Sequence, residues 1–299
     1  MTYEDFMQCR TPLVRSHLQT LGFAVEYFPH YVNRQLNLHS PGIVLLSFII
    51  KGRGHHILGD ETYEEHGGSL GITHYGQFHD ILTDEHGMEI MNLYLDLAHH
   101  PLPSLPPELQ TVLPDIIPLH PAFCHRLNRL VRITFPHDEV ITPELYALHR
   151  ELSACTAGYE TAARLHLTLL LIACCRQVQR SGALPLLAAL RPGDARVERI
   201  RRYLDRHFAE EHSLSTLAAR EALTPFVLCR AFKAYTGITL IDYLTQRRVQ
   251  EAMLRLRTGT EKVSAIALAC GFNDLSHFNH KFRAIIGQTP TVYRQRRLG

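Results

Sequence analysis

Two stretches of sequence fifty positions apart decide the fold of the C-terminal third: Leu228–Gly237 (LCRAFKAYTG) and Phe278–Gly287 (FNHKFRAIIG). Both carry an aromatic residue followed directly by a basic residue, and both close on a glycine at the same spacing. Upstream, the pair Leu217-Ala218 returns as Ile266-Ala267. A repeat of this length predicts one helical supersecondary unit that is used twice.

Each copy of the repeat predicts a helix, a turn of three to four residues and a second helix, which together form a helix-turn-helix. We place the two units at about residues 213–236 and 263–286. Thr224-Pro225 gives the second helix of the first unit an N-cap and an N1 proline. Ala222 falls in the first turn, where a left-handed backbone would cost alanine about 1 kcal/mol.

The second helix of each unit divides into an apolar face and a mixed face at the helical period. The predicted core positions are Leu228, Phe232, Tyr235, Phe278, Phe282 and Ile285. The predicted DNA-contacting positions are Phe226, Cys229, Arg230 and Lys233 in the first unit, and Ser276, Asn279, His280 and Arg283 in the second. Arginine pairs with guanine, asparagine pairs with adenine, and apolar groups touch the thymine methyl. A merely solvated face is the alternative, but two such faces in register favour DNA binding.

The balance of charge also divides the chain. Its 299 residues have a net charge of +2, yet residues 194–299 hold 18 Lys and Arg against 10 Asp and Glu, whereas residues 1–193 hold 13 against 19. A basic third on an acidic body is the electrostatic footprint of a nucleic-acid-binding module joined to another domain. Seven cysteines without a C-x-x-C pair argue against a disulfide framework or a zinc ribbon.

Residues 196–299 resemble the DNA-binding domain of the AraC/XylS family of bacterial transcription regulators. The resemblance is carried by Ser213-Leu214, Leu217-Ala218, Leu228-x-Arg230-x-Phe232-Lys233, Gly237, Tyr243-Leu244, Arg248, Ile266-Ala267, Gly271-Phe272, Ser276-x-Phe278, Phe282, Thr289-Pro290 and Tyr293-Arg294. It implies a long bridging helix at about residues 241–257 and two recognition helices in major grooves one DNA turn, about 34 Å, apart. Ala222 departs from the glycine usual in the family, and His280 from a common arginine.

Residues 20–98 carry short strand patterns with frequent turn signals, which favours a β-barrel or jelly roll. The run Ile43–Ile50 is expected to end at Lys51–Gly54, and a hairpin is expected around Gly59-Asp60. This part resembles the cupin-type barrel of sugar-responsive family members. The carrying residues are Gly52–His56, Gly59, Gly67–Leu70, His74–His79 and Asn92–Tyr94.

Beyond residue 101 the pattern becomes helical after a connector with seven prolines. Helices at 142–157 and 159–180 are predicted, and the second is apolar nearly all round, which favours a dimer interface that includes Leu167 and Leu170. We expect a domain at 1–190, a linker at 191–195 and a domain at 196–299. The predicted fold class is α+β multidomain: an N-terminal cupin-like β-barrel with dimerisation helices, and a C-terminal all-α domain of two helix-turn-helix units.

A polar ligand is expected in the mouth of the barrel. The candidate ligand-binding residues are His30, Arg34, His39, His56, His79 and Tyr94. His74 and His79 approximate part of a cupin metal motif, so a metal-dependent enzyme with a DNA-binding appendage is one alternative. A ligand-blind regulator whose barrel only dimerises is another.

The sequence thus predicts a ligand-responsive regulator, an activator of catabolic genes that responds to a sugar or a similar polar molecule. No catalytic residue, metal site or cofactor is assigned. The expected partners are double-stranded DNA, a small-molecule effector, a second copy of the chain and RNA polymerase. The longest apolar run, residues 42–50, is too short for a membrane span, and the N-terminus lacks an apolar signal segment. We therefore expect a cytoplasmic protein.

Overall fold

The computed structural model describes residues 3–40, 42–110, 112–118, 123, 130–136, 141–181 and 192–295. The chain divides into two compact units, Met1–Pro185 and Leu186–Gly299. The predicted linker at 191–195 lies partly outside the described residues, and its described part already belongs to a helix that begins at Pro192. The domain boundaries therefore stay a prediction.

The N-terminal unit is built of six strands and five helices among the described residues. Its strands are β1 (Phe23–Tyr31), β2 (Val44–Leu58), β3 (Glu61–His66), β4 (Ser69–Thr73), β5 (His79–Leu95) and β6 (Val131–Thr134). Its helices are α1 (Tyr3–Gln8), α2 (Pro12–Leu21), α3 (Pro107–Gln110), α4 (Ile141–Ala154) and α5 (Tyr159–Arg180), with a 3₁₀ turn at Leu113–Asp115. The expected irregular connector thus contains two short helical turns.

The strands form one antiparallel sheet in the order β1-β5-β2-β4-β6, with β3 paired to β2. Among the described strands, β1 and β6 lie at the two ends and are not paired to each other. The predicted closed cupin-like barrel is therefore not observed, and the sheet is open. Turn signals in the sequence mark where strands end, but closure depends on pairing between distant strands, which no local pattern specifies.

Strand β2 is longer than the sequence predicts, because it continues through Lys51–Gly54 instead of ending there. Its register against β5 shifts between Ile49 and Lys51 and again between Gly52 and Gly54. Gly52 has a φ of +93°, and a Cβ there would lie 2.6 Å from the carbonyl oxygen of Gly87. Glycine thus allows β-bulges that bend the strand without ending it. The hairpin around Gly59-Asp60 is confirmed, since Leu58 pairs with Glu61.

One face of the sheet is apolar, and the other, the polar face, combines polar side chains with buried apolar ones such as Ile49 and Ile90. Leu46 lies opposite Ile72 and Leu93, and all three side chains are buried. The next position, Ser47, lies opposite Gly71 and Asn92 and projects to the other side, because side chains alternate along strands. The polar face is therefore lined in part by Ser47 and Asn92, at the centre of the sheet.

Helices α4 and α5 pack against each other. The buried side of α5 consists of Ala163, Leu167, Leu170, Leu171, Cys174, Cys175 and Val178. Leu165 and Leu169 are 62% and 47% exposed, so the apolar residues outside the core lie on a different side of the helix.

The C-terminal unit is helical throughout its described part. Its helices are α6 (Pro192–Arg206), α7 (Leu214–Ala219), α8 (Pro225–Thr236), α9 (Leu240–Thr258), α10 (Val263–Ala269), α11 (Leu275–Ile286) and α12 (Pro290–Gln295). Val197, Leu217, Phe232 and Tyr243 belong to one buried cluster that joins α6, α7, α8 and α9. The predicted bridging helix is confirmed as α9.

Candidate functional site

The mixed faces of α8 and α11 are exposed, and their apolar faces are buried. Leu228 and Phe232 on α8, and Phe278 and Phe282 on α11, are fully buried. Tyr235 and Ile285, the third predicted core position of each helix, are half-buried. All eight predicted contact residues are exposed: Phe226, Cys229, Arg230, Lys233, Ser276, Asn279, His280 and Arg283. The two helices therefore present equivalent surfaces, fifty residues apart in the chain.

Caps and turns fix where these two helices begin and end. The Thr224 side chain accepts a hydrogen bond from the amide of Val227, and α8 ends at Gly237 with a φ of +82°. The Asp274 side chain accepts hydrogen bonds from the amides of Ser276 and His277, so Asp274 is the N-cap of α11. Both caps satisfy amides that a helix start leaves without partners.

The turns of the two helix-turn-helix units carry different residues at the position with left-handed backbone geometry: Ala222 in the first and Gly271 in the second. Ala222 has a φ of +52°, which is the left-handed conformation expected at this position. Gly271 holds the corresponding place in the second turn with a φ of +84°. The backbone of the first turn therefore keeps the left-handed geometry although its residue carries a Cβ, which is sterically unfavourable.

A buried ionic network attaches α6 to α9. The guanidinium of Arg201 donates to the carboxylate of Glu198 at 2.7 and 2.8 Å and to the hydroxyl of Tyr243 at 3.1 Å. The Tyr243 hydroxyl donates in turn to Asp205 at 2.7 Å. Because buried charges need such partners, each member of the network is satisfied by the others, and the contacts join α6 to α9.

In the N-terminal unit, three of the six predicted ligand-binding residues lie together. His56 Nε2 and His79 Nδ1 are 3.1 Å apart, and the rings of His39 and His79 have centroids 4.7 Å apart. His56 and His79 are buried, whereas His39 is half-buried. Burial, and then the neighbouring imidazoles of His56 and His39, hold the pKa of His79 well below its ordinary value. His79 is therefore neutral near pH 7.

Glu65 extends this histidine cluster toward the polar face of the sheet. Its carboxylate lies 3.7 Å from His56 Nδ1, accepts from Ser69 Oγ at 2.5 Å and from Arg132 Nε at 3.3 Å. Burial would raise the pKa of Glu65, but the contacts with His56, Ser69 and Arg132 outweigh it and lower that pKa. A Cβ on Gly71 would lie 2.7 Å from His56 Nδ1, so glycine makes room for the imidazole on this face.

The other three predicted ligand-binding residues lie elsewhere. His30 is exposed near the end of β1. Arg34 is exposed and lines an open pocket of about 440 Å³ with His55 and residues 82–86. Tyr94 is buried, and its hydroxyl donates to Glu26 at 2.8 Å and accepts from Arg10 at 3.0 Å. The site assignment stays a prediction for all six.

Several polar groups on the sheet surface are buried without a hydrogen-bond partner in the described part of the chain. They are Ser47 Oγ, Thr73 Oγ1 and Asn92 Oδ1, which the prediction omitted, and Nε2 of His79, which it included. A signal for two of them exists in the sequence: Ser47 interrupts the run Ile43–Ile50, and Asn92 interrupts an apolar run in β5. Arg132 has no comparable signal, because its contact with Glu65 spans 67 positions.

Comparison with protein-family models gives a match over residues 217–296 to a family described as a helix-turn-helix domain. The matched range covers both turns, both exposed helix faces and the bridging helix α9. The C-terminal domain is of the AraC/XylS type. The resemblance stated from the sequence motifs is thereby confirmed.

Two curated relatives of the chain carry names of transcriptional activators. The HTH-type transcriptional activator RhaS of Enterobacter sp. is 38% identical over 112 residues, which are 38% of this chain and 40% of that protein. RhaS of Pectobacterium carotovorum is 35% identical over 130 residues, 44% of this chain and 43% of that protein. The match thus spans about two fifths of the length of these relatives, and neither is named as an enzyme.

Two solved structures are similar to about a third of the chain. The C-terminal domain of AraT, a response regulator from Geobacillus stearothermophilus, is 29% identical, covers 36% of this chain and 88% of that chain, and has a TM-score of 0.34. The DNA-binding domain of AdpA in complex with a target DNA is 28% identical, covers 33% of this chain and 90% of that chain, and has a TM-score of 0.33.

In the described part of the chain, no group of three or more His, Cys, Asp or Glu side chains is arranged to hold a metal ion. Of the described helices, none has the length and apolar character needed to cross a bilayer.

Proposed function

We propose that this chain is a ligand-responsive transcription activator that binds double-stranded DNA through α8 and α11. The observation that carries the proposal is the pair of equivalent exposed faces, which offer an arginine fork on one helix and an amide on the other. These groups suit guanine and adenine edges in the major groove. The names of the RhaS relatives, which are 38% and 35% identical to this chain over 112 and 130 residues, support the proposal.

Selection of bound duplexes from random DNA by the full-length protein tests this function. We expect a two-part motif whose halves lie about one helical turn apart. A chain carrying both Arg230→Ala and Asn279→Ala should lose the enrichment, because the substitutions remove a base-reading side chain from each helix. Ala234→Ser, an exposed change on α8 outside the eight-residue set, is the matched control. Absence of any enriched motif with the unaltered chain would contradict the proposal.

Activation requires a productive contact with RNA polymerase, which we propose as a protein partner. The activator names of the RhaS relatives support this direction of regulation. Transcription by purified bacterial polymerase from a template bearing the selected motif should rise when the protein is added. A fall in transcript would identify a repressor instead.

The effector is proposed to be a sugar or a similar polar molecule that binds the polar face of the N-terminal sheet. Ser47 Oγ, Thr73 Oγ1, Asn92 Oδ1 and His79 Nε2 support this class, because hydroxyl groups of a ligand can pair with each of them. A bound ligand raises the melting temperature by mass action, so a thermal-shift panel of sugars tests the site. No shift with any sugar would favour a ligand-blind regulator.

We propose that the protein acts as a homodimer through the exposed side of α5. Leu165, Leu169 and Ile172 follow one another at spacings of four and three residues, as the seam of a helix pair requires. The first two are largely exposed and the third is half-buried. The buried leucines Leu167 and Leu170 instead belong to the monomer core.

A further inference from the structure

The two helix-turn-helix units are connected by more than the bridging helix. Helix α9 starts in the core of the first unit through Leu240 and Tyr243, and it contacts α10, α11 and α12 of the second. If α9 were the only connection, the angle between the two helix-turn-helix units could vary. A second connection between the two helix-turn-helix units is formed by the segment 207–212, between α6 and α7.

Backbone carbonyls of this segment are held by α9. Arg248 donates from Nε to the carbonyl oxygen of Phe208 at 2.8 Å, and from Nη2 to that of Glu210 at 2.9 Å. The guanidinium of Arg247 lies over the ring of Phe208, 4.3 Å from its centroid. Arg248 is half-buried, so its two charge-assisted hydrogen bonds are partly shielded from water.

The same segment contacts the turn of the second unit directly. A Cβ on Gly271 would lie 2.6 Å from the carbonyl oxygen of Ala209 and 2.8 Å from its Cα. Beside this contact, Asn273 Nδ2 donates to Glu211 Oε1 at 3.1 Å. Gly271 therefore permits a backbone approach that any side chain at this position would prevent, and Asn273 lies in the turn that immediately precedes the second recognition helix.

We propose that residues 207–212 act as a strut that fixes the angle between the two recognition helices, and that Arg248, Gly271 and Asn273 are positioning residues for reading two DNA half-sites at once. The inference rests on the proposed DNA-binding function. One base pair inserted between the half-sites rotates them by about a tenth of a turn, so a rigid pair of units tolerates only one spacing. A pair with a loosened strut binds each half-site as before and loses its preference for that spacing.

The test uses the full-length protein and the duplex obtained by selection from random DNA. Affinity is measured on the intact duplex, on duplexes with either half scrambled, and on duplexes with one base pair inserted or deleted between the halves. The variant is Arg248→Met, which keeps the apolar stem and removes both hydrogen bonds. The matched control is Arg255→Met, since Arg255 lies on the same helix but pairs within it, with Glu251 at 3.2 Å.

Arg248→Met should weaken binding to the intact duplex by about tenfold, the size expected for lost hydrogen bonds to a charged group. Binding to either half-scrambled duplex should change no more than with Arg255→Met, and the penalty for the inserted or deleted base pair should shrink. Asn273→Ala should act in the same direction with a smaller effect, and it carries the test if Arg248→Met does not fold.

The results that would contradict the strut differ from the result that would contradict the proposed DNA-binding function. An equal loss on all duplexes, or an unchanged spacing penalty in both variants, would contradict the strut while leaving the proposed function intact. If the unaltered chain enriches no motif from random DNA, the proposed function fails, and the half-site role of the strut fails with it.

Discussion

Arg230 and Lys233 lie on the same exposed face of α8, one turn apart, and should make different contributions to DNA recognition. Arginine has a planar fork that suits a guanine edge, whereas we expect Lys233, near the end of the helix, to meet phosphate. Arg230→Ala should cost about 1–3 kcal/mol on the selected site and relax the choice of one base pair. Lys233→Ala should weaken all sequences alike and lower the salt slope by about one unit.

Binding of each variant to the selected duplex and to random duplexes over a salt series separates these effects. A uniform loss from Arg230→Ala, with base preference intact, would reduce Arg230 to a backbone contact. Base reading in the first unit would then fall to Phe226 and Cys229.

Ala222 is a residue at which stability can be gained. Its φ of +52° is costly for alanine but not for glycine. Ala222→Gly should raise the free energy of unfolding by about 0.5–1 kcal/mol, the relief of strain being partly offset by the larger entropy of the unfolded chain. Chemical denaturation of the full chain measures this change.

The control for that substitution is the same exchange in a right-handed position. Ala234 lies on an exposed part of α8, and Ala234→Gly should lower the stability by about 1 kcal/mol. If both exchanges destabilise the protein, the first turn does not hold residue 222 in the left-handed conformation.

At the scale of the helix, α5 separates core residues from the proposed dimer interface. Leu165→Glu or Leu169→Glu should give a folded monomer, because an exposed position accepts a charge unless a partner covers it. Leu167→Glu, at a position only 2% exposed, should instead unfold the N-terminal unit. Sedimentation equilibrium with circular dichroism distinguishes the two results. A wild-type chain that sediments as a monomer would contradict the dimer.

The same helix shows where sequence patterns stop being informative. The pattern correctly predicts that α5 carries more apolar residues than one core face needs. It did not show which leucines contact α4, because Leu165, Leu167 and Leu169 are chemically alike and their surroundings are set by distant parts of the chain. In the two helix-turn-helix units the pattern was sufficient to predict the buried and exposed faces of α8 and α11, because each helix has one clear apolar side and recognisable caps such as Thr224.

For the molecule as a whole, the cluster of His79, His56 and His39 predicts sensitivity to acid. The pKa of His79 is lower in the folded than in the unfolded chain, so the unfolded chain binds more protons below the ordinary histidine pKa of about 6.5. Stability should be complete above that pH and should fall as the pH is lowered through it. Glu65, which faces His56, and Asp80, next to His79 in sequence, are the acidic groups nearby.

Thermal unfolding of the full chain between pH 7.5 and 5.5 measures this dependence. His79→Gln should reduce the slope of melting temperature against pH, whatever its effect on the melting temperature itself. His55→Gln, at an exposed neighbour of His56, should leave the slope unchanged. Equal slopes in all three proteins would show that protonation of His79 is not the cause.

The presence of two units could also be predicted from the sequence, because the charge balance and the repeat pattern both change near residue 194. The strand order of the N-terminal sheet could not be predicted from the sequence. Strand lengths and the hairpin follow from local signals, whereas the order β1-β5-β2-β4-β6 joins strands that lie up to about seventy positions apart. Three of the six candidate ligand residues gather in one place, and Ser47 and Asn92 were recognisable only as interruptions of apolar runs.

The polar residues Ser47 and Asn92 at the centre of the sheet imply that folding stability and the proposed effector binding place opposite demands on the sequence. A buried hydroxyl or amide without a partner costs about 1–3 kcal/mol relative to one that is satisfied, and Ser47, Thr73 and Asn92 each carry such an atom. Apolar replacements of similar shape would make the empty protein more heat-resistant while removing the groups that an effector would bind. If the proposed effector site is correct, selection for heat resistance alone would remove that site first, and these polar atoms would be the part of the fold in which stability is lost in exchange for ligand binding.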